Sequence, residues 1–341
     1  MKKILFIGNL KSVHTIKWIN FFANEFNVSI ISNENPYDNS LINPKIKIYI
    51  YNKFSNKIFN IIYTICKLIL NHKSFKNLDF IHVHYLGFNM ILALLFKSKI
   101  ISTVYGSDIK INSSNILKKF FIKKFLHNSQ LITTDSFEIQ EYLINKFNII
   151  KEKINIINFG IDTEFFIKKK YNTNLSKKYN LTNKTTSLVC LRGHEKIYDL
   201  KTLIKGVDIA SKKIDLRCLI FNEGPETKEY KKISNQLGLN NIISFHGKYS
   251  QNDLPEIFSV CDAYVSSSLS DGGIAASTAE AMSCELTPII TNNSDNSYWI
   301  SNNINGFLFE DKNYEELANI ILNLKNFNTI EIGKKARQKI I

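Results

Sequence analysis

The stretch from Ala263 to Pro288, AYVSSSLSDGGIAASTAEAMSCELTP, limits the possible folds more than any other part of the chain. An apolar run, a loop of small residues with Asp271, Gly272, Gly273 and Ile274, a helix-forming segment from Ser277 to Cys284, and the apolar pair Ile289 and Ile290 follow one another. Short apolar runs bounded by turn residues read as buried strands, so the order is strand, glycine loop, helix, strand. A glycine loop that feeds a helix presents free backbone N–H groups and the positive end of the helix dipole, where an anion such as phosphate can sit. Glu280 falls about two turns into that helix, and its carboxylate could accept hydrogen bonds from a ribose. The competing reading makes Asp271 a helix cap and Glu280 a surface charge.

A chain of 341 residues exceeds what one core usually organises, so two domains are expected. The five cysteines (Cys66, Cys190, Cys218, Cys261, Cys284) form no C-x-x-C pair and read as buried small side chains in a reducing compartment. The opening MKKILFIGNL has an apolar run too short for a signal-peptide core and reads as the first strand. Leu86 to Phe96 is interrupted by Asn89 and falls short of the ~18 to 20 residues that span a bilayer, so a cytoplasmic location is expected. Charge is divided unevenly. Residues 1–170 hold 24 Lys and no Arg against 11 Asp and Glu, a net +13, whereas residues 171–341 hold 20 basic against 19 acidic residues, a net +1. That asymmetry implies an anionic partner for the first half, a membrane leaflet or nucleic acid, unless the lysines are merely solvated.

In the first half, Lys2 to Ile7 is a predicted strand, Gly8-Asn9-Leu10 a tight exit loop, and His14 to Phe26 a helix with Ile16, Ile19, Phe22 and Ala23 at helical spacing. With Val28 to Ser32 as the next strand, the Gly8 to Thr15 loop falls at the carboxyl edge of a parallel sheet, where ligands bind. No G-x-G-x-x-G is present there, which argues against a dinucleotide cofactor. Residues 54–70 predict an amphipathic helix. The strand DFIHVHY puts His82 and His84 on one face, but no third ligand stands out, so no metal site is expected. KIISTVYGSD, residues 99–108, is a strand ending at Gly106, Ser107 and Asp108. Ile116 to His127, ILKKFFIKKFLH, sets Lys118, Lys119, Lys123 and Lys124 around Phe120, Phe121 and Phe125. Either the phenylalanines enter the core, or the helix lies on an anionic bilayer.

The lysine-rich passage from Phe165 to Lys184 has no apolar period and reads as an interdomain crossing. Strands then alternate with helices again, through the loop Arg192-Gly193-His194-Glu195-Lys196, the turn Asn222-Glu223-Gly224-Pro225 and IISFHG followed by Lys248 and Tyr249. The chain is therefore expected to be an α/β protein of two doubly wound, Rossmann-like domains facing across a cleft. The expected domains are 1–165 and 166–325, with a C-terminal helix over 326–341 that could return to the first.

Taken in order, the opening strand, FGIDTEFF, Arg192 with Lys196, the NEGP turn, ISFHGKYSQNDLPEIFSVCDAYVSSSLSDGGIAASTAEAMSCELTPIITNN and NGFLFE resemble the retaining glycosyltransferases of the GT-B fold in the large fourth sequence family, the group 1 glycosyl transferases. The resemblance covers nearly the whole chain and is most specific in the second half. It implies a UDP- or GDP-linked sugar donor in the C-terminal domain, a glycan or lipid-linked acceptor in the N-terminal domain, and neither metal nor other cofactor. Arg192 and Lys196 match the basic pair on the diphosphate, with Lys201 as the fallback. Gly247, Lys248 and Tyr249 match the segment that brackets the base. Asp271 matches the acid near the donor sugar and Glu280 the acid on the ribose. The first loop, with Gly8, Asn9, His14, Lys17 and Trp18, resembles the acceptor loop, and Tyr105, Gly106 and Asp108 match the strand-tip motif. Eight residues separate Asp271 from Glu280 where the family usually has seven, and Tyr105 stands where a His is common. Asp108, or one of His14, His82 and His84, would then take that histidine's part.

The implied activity is transfer of one sugar with retention, in bacterial surface polysaccharide, lipopolysaccharide or glycoconjugate biosynthesis, with the basic half docked on the inner face of the cytoplasmic membrane. A nucleotide-sugar 2-epimerase of the same fold would share the donor site and need no acceptor. A non-catalytic module holding nucleic acid or membrane would use the basic half alone, but that half has no arginine and no recognised nucleic-acid motif.

Overall fold

The computed structural model describes residues 1–55, 57–110 and 115–341. Asn56, inside the helix predicted over 54–70, lies outside them; the helix described is Lys57–Leu70. The chain forms two compact units, Met1–Phe159 and Gly160–Ile341. Among the described residues the first unit has seven strands: β1 (Lys3–Ile7), β2 (Asn27–Ser32), β3 (Lys47–Ile50), β4 (Phe80–His84), β5 (Lys99–Val104), β6 (Leu131–Thr134) and β7 (Ile154–Ile156). They form one parallel sheet in the order β3-β2-β1-β4-β5-β6-β7. The second unit has six: β8 (Thr186–Cys190), β9 (Leu216–Ile220), β10 (Ile243–Phe245), β11 (Ala263–Ser266), β12 (Thr287–Thr291) and β13 (Phe307–Phe309). These are also all parallel, in the order β10-β9-β8-β11-β12-β13.

Both sheets are covered on both faces, which is why their central strands read as continuous apolar runs. Alternation then sorts the side chains. Leu5 and Ile7 enter one core cluster and Ile4 and Phe6 another; Leu188 and Cys190 face one side of β8, Val189 and Leu191 the other. Each sheet grows outward from its first strand and then returns to that strand's other side. The reversal falls between β1 and β4 in the first unit and between β8 and β11 in the second. At such a point the loops leaving the two strands diverge and open a crevice where ligands bind.

The units divide at Phe159 and Gly160, earlier than the boundary expected at 165. The lysine-rich passage is not a free linker. Phe166, Tyr179 and Leu181 are buried in the second unit's core, and Thr173–Lys178 is a short helix. The C-terminal helix Thr329–Ile340 likewise packs within the second unit, on the helix Ala276–Ser283 and on β12. Arg337 fastens it, donating to the carbonyl oxygens of Phe166, Thr163 and Ser283. Gly333 permits the close approach, since a Cβ there would overlap the Glu285 carbonyl. Cys190 and Cys218 are core residues as expected, whereas Cys66 is exposed.

Candidate functional site

In the second unit the loops after β8 and β11 are stitched together. The Leu269 N–H donates to the Ile197 carbonyl at 2.8 Å, and the Ser267 hydroxyl to the Asp199 carbonyl at 2.9 Å. This docking brings Arg192 to Asp271, with Nη2 donating to Oδ1 at 2.5 Å. The Asp271 side chain is fully buried and that of Arg192 is 12% exposed. The guanidinium also lies over Tyr198, 4.2 Å from the ring centroid. Burial pulls the guanidinium pKa down, but the Asp271 charge together with Tyr264, Tyr198 and Cys190 outweighs this and leaves it above its ordinary value. The pair does not exhaust its own bonding capacity. Arg192 Nε and Asp271 Oδ2 are both buried without a hydrogen-bond partner among the described residues, an arrangement that costs about 1–3 kcal/mol per neutral group and more for charged ones.

The bland readings of the two acids fail here. The helix runs Ala276–Ser283 with Ala275 at the N-cap position, so Asp271 caps nothing. Glu280 is 5% exposed and sits one turn into the helix, not two. Its Oε1 accepts from Gln251 Nε2 at 2.9 Å. Tyr249 stands close by, its hydroxyl pushed up to about 12 by burial and then by the Glu280 charge. Gly247 is held by the Asn222 N–H, which donates to its carbonyl at 2.6 Å. Lys196 and Lys248 are exposed and in no ion pair among the described residues.

The loop after β12, for which the sequence predicts no role, braces the glycine loop. The Asp271 N–H donates to the Ser294 hydroxyl at 3.4 Å, and the Asp295 N–H to the Gly272 carbonyl at 3.2 Å. Gly272 has φ +71°, a conformation that favours glycine. Asn293 donates to the Ser268 carbonyl and to Asp311, leaving its own buried Oδ1 without a partner. The signal was present as the cluster TNNSDN at a strand tip. His194 follows Arg192 and Gly193 in the loop after β8. It is buried with Nδ1 2.8 Å from the Thr227 hydroxyl, and its backbone packs so tightly on the NEGP turn that a Cβ at Gly224 would meet its carbonyl at 2.7 Å.

In the first unit the reversal carries neutral groups. His14 stacks on Phe159 with centroids 3.6 Å apart and lies 6.1 Å from the Tyr105 ring. Burial, then Lys17, lowers its pKa. His82 and His84 share a face as expected, their rings 4.5 Å apart. His82 Nε2 is 2.7 Å from the Thr103 hydroxyl and His84 Nδ1 is 2.8 Å from the Tyr105 hydroxyl. Burial drives His82 down to about 3 and His84 well below its ordinary value, with His82 and His14 adding to the latter. Tyr105, before Gly106, thus has the His84 imidazole behind its hydroxyl. Among the described residues no three of His, Cys, Asp and Glu cluster as metal ligands would.

A cavity of about 1410 Å³ opens at these strand tips. Of the residues expected at the acceptor loop and strand tip, Asn9, His14 and Tyr105 line it, whereas Gly8, Lys17, Trp18 and Gly106 are not among its lining residues. Trp18 is spent on packing, stacked on Phe22 at 5.8 Å and edge-on to His82 and His84. Asp108, the acid expected at the strand tip, is engaged by backbone donors. It is fully buried and accepts from the N–H groups of Leu86 at 2.9 Å and Tyr105 at 3.1 Å, bracing the loops after β4 and β5. The basic helix, Ile116–Asn128, sends only part of its apolar side chains into the core. Ile122, Phe125 and Leu126 are buried, whereas Ile116, Leu117, Phe120 and Phe121 are between 62% and 85% exposed. Among the described residues no helix is long and apolar enough to cross a membrane.

Two parallel sheets, each reversing at its centre and each with its polar groups at the strand tips, define the GT-B class of enzyme. The family model described as glycosyl transferases group 1 matches residues 172–339, and the glycosyl transferase 4-like model matches residues 3–136. The chain belongs to the group 1 glycosyltransferases. No curated protein matches it significantly. Among solved structures it is similar to a glycosyltransferase from Rickettsia africae ESF-5, at 19% identity over 99% of this chain and 93% of that one, with a TM-score of 0.79. It is also similar to HepE from Anabaena in complex with UDP and glucose, at 15% identity over 99% and 94%, with a TM-score of 0.79. A sucrose-phosphate synthase from Thermosynechococcus elongatus matches at 15% identity over 100% and 94%, with a TM-score of 0.78.

Proposed function

We propose that the second unit holds a nucleotide-diphospho-sugar and that the enzyme transfers its sugar, with retention, to a hydroxyl of an acceptor held in the first-unit cavity. The observation that carries this reading is the Arg192–Asp271 pair, a buried cation with an unfilled Nε beside a buried carboxylate with an unfilled Oδ2. A diphosphate supplies oxygens to Arg192 and Lys196, and Asp271 accepts from a hydroxyl of the sugar. Glu280 accepts from the ribose beside Tyr249, which with Gly247 and Lys248 brackets the base. Negative charge grows on the diphosphate as the glycosidic bond breaks, so these cations stabilise the transition state more than the bound donor, without calling on a metal. The acceptor hydroxyl attacks from the side the diphosphate leaves, and its proton passes to a departing phosphate oxygen. Positioning by neutral His14 and Tyr105 then replaces a protein nucleophile.

The first unit is also the proposed docking surface on the inner leaflet. It carries 21 Lys against 9 acids, a net +12, and each lysine near an anionic leaflet contributes about 1 kcal/mol. The exposed Phe120 and Phe121 enter the interface beside them. An acceptor presented there belongs to bacterial surface glycan assembly. Calorimetry with UDP and GDP, chelator present, tests the donor site: one nucleotide should bind, and Glu280→Ala should weaken it at least tenfold. Binding that survives both Glu280→Ala and Arg192→Ala removes the assignment.

A further inference from the structure

The first-unit cavity has two chemically different walls. Strand-tip loops supply Asn9 and Asp135 and the first turn of the helix Val13–Phe22 supplies His14, while the helices Phe88–Ala93 and Ile116–Asn128 supply Met90, Ile122 and Phe125. Its volume of about 1410 Å³ exceeds the ~300–1,000 Å³ of ordinary small-ligand pockets, leaving room beyond one sugar. Lys118 and Lys124 line it too, and neither is in an ion pair among the described residues. Phe121 and Ile122 stand three and four residues after Lys118, and Phe125 four and three after them, so one stripe of the helix presents both a cation and apolar side chains to the cavity. The apolar wall also runs out to the surface, where Ile91 is 51%, Leu94 61% and Phe121 62% exposed. A wholly carbohydrate ligand has no use for such a wall, and nucleic acid would leave it uncovered.

We infer that this cavity takes a phosphate-bearing lipid. Its hydrocarbon chain lies along Met90, Leu94 and Phe125, its phosphate pairs with Lys118 and Lys124, and the group to be glycosylated reaches Asn9 and His14. The inference rests on the first unit being the acceptor side and narrows that acceptor to a lipid phosphate. The 341-residue chain is titrated calorimetrically with n-dodecyl phosphate below its micelle concentration, with dodecyl maltoside (a chain without phosphate) and with inorganic phosphate (no chain). Dodecyl phosphate should bind at least tenfold more tightly than either. Lys118→Glu with Lys124→Glu, and separately Ile91→Trp, which fills the mouth, should each weaken it at least tenfold. Unchanged circular dichroism and thermal midpoints show that these variants fold. Phe120→Ser, outside the cavity, should lower binding to anionic vesicles yet leave dodecyl phosphate affinity unchanged, separating the cavity from surface adsorption. The inference is overturned if the maltoside or inorganic phosphate binds as well, or if affinity survives the lysine pair and Ile91→Trp. Nucleotide binding, read separately, decides the donor assignment, so either can fail while the other stands.

Discussion

At the reversal of the second sheet stand Arg192, Asp271 and, one helical turn along, Glu280, all ionisable and largely buried; at the reversal of the first stand His14, His84 and Tyr105, all held toward their neutral forms. The same chain geometry therefore presents fixed charge in one unit and neutral donors and acceptors in the other. Buried charges suit a ligand whose charge never varies, such as a diphosphate, because each desolvated contact is strong and geometrically strict. Neutral groups beside an apolar wall suit a ligand recognised by shape and chain. The positive charge of the first unit lies on surface lysines such as those of the basic helix, where it acts on a surface instead of a single ion.

The largest effect that can break this contrast is expected from Arg192→Ala. It strands Asp271 without its cation, and loss of one partner of a buried pair costs about 3–5 kcal/mol. Urea unfolding should show that loss, and nucleotide affinity should fall by about 100-fold, the equivalent of some 2.7 kcal/mol. An unchanged unfolding midpoint would mean that the pair is not a buried, mutually dependent unit. Acid is next. His82 and His84 have folded pKa values far below the unfolded value, so below about pH 6.5 the unfolded chain takes up protons that the folded chain refuses. Stability is complete above that pH and falls as pH drops, by up to about 1.4 kcal/mol per pH unit for each histidine. His82→Gln should flatten the slope of urea midpoint against pH between 6.5 and 5; a slope left unchanged would locate the acid sensitivity elsewhere. The smallest effect concerns the surface lysines. Lys119→Ala should cost about 1 kcal/mol of binding to anionic vesicles while leaving neutral vesicles and nucleotide affinity untouched. Equal losses on both vesicle types would point to a packing role for this side chain.

How much was legible varied with position in the sheet. The central strands β1, β4, β8, β11 and β12 were readable because burial on both faces demands continuous apolar runs. The edges β3 and β7 were not: β3 is half exposed and β7 has three residues, so neither leaves a clear pattern. Phe166, Tyr179 and Leu181 were lost inside a lysine-rich passage because single apolar residues without a period announce no element, although all three are buried. Asp108 and Trp18 were placed by their nearness to a strand tip, yet one braces two loops and the other packs on histidines.

By itself the sequence determined the architecture, the order strand, glycine loop, helix, and the residue types at each strand tip, since these follow from local periodicity and turn chemistry that nearby residues carry. Tertiary structure alone decided that Arg192 meets Asp271 across 79 positions, that Ser294 supports the same loop, and that the basic helix turns Phe125 inward and Phe120 outward. Sheet order joins loops far apart in the chain, and a helical face has a direction only once something packs against it; neither is a property of any window of sequence.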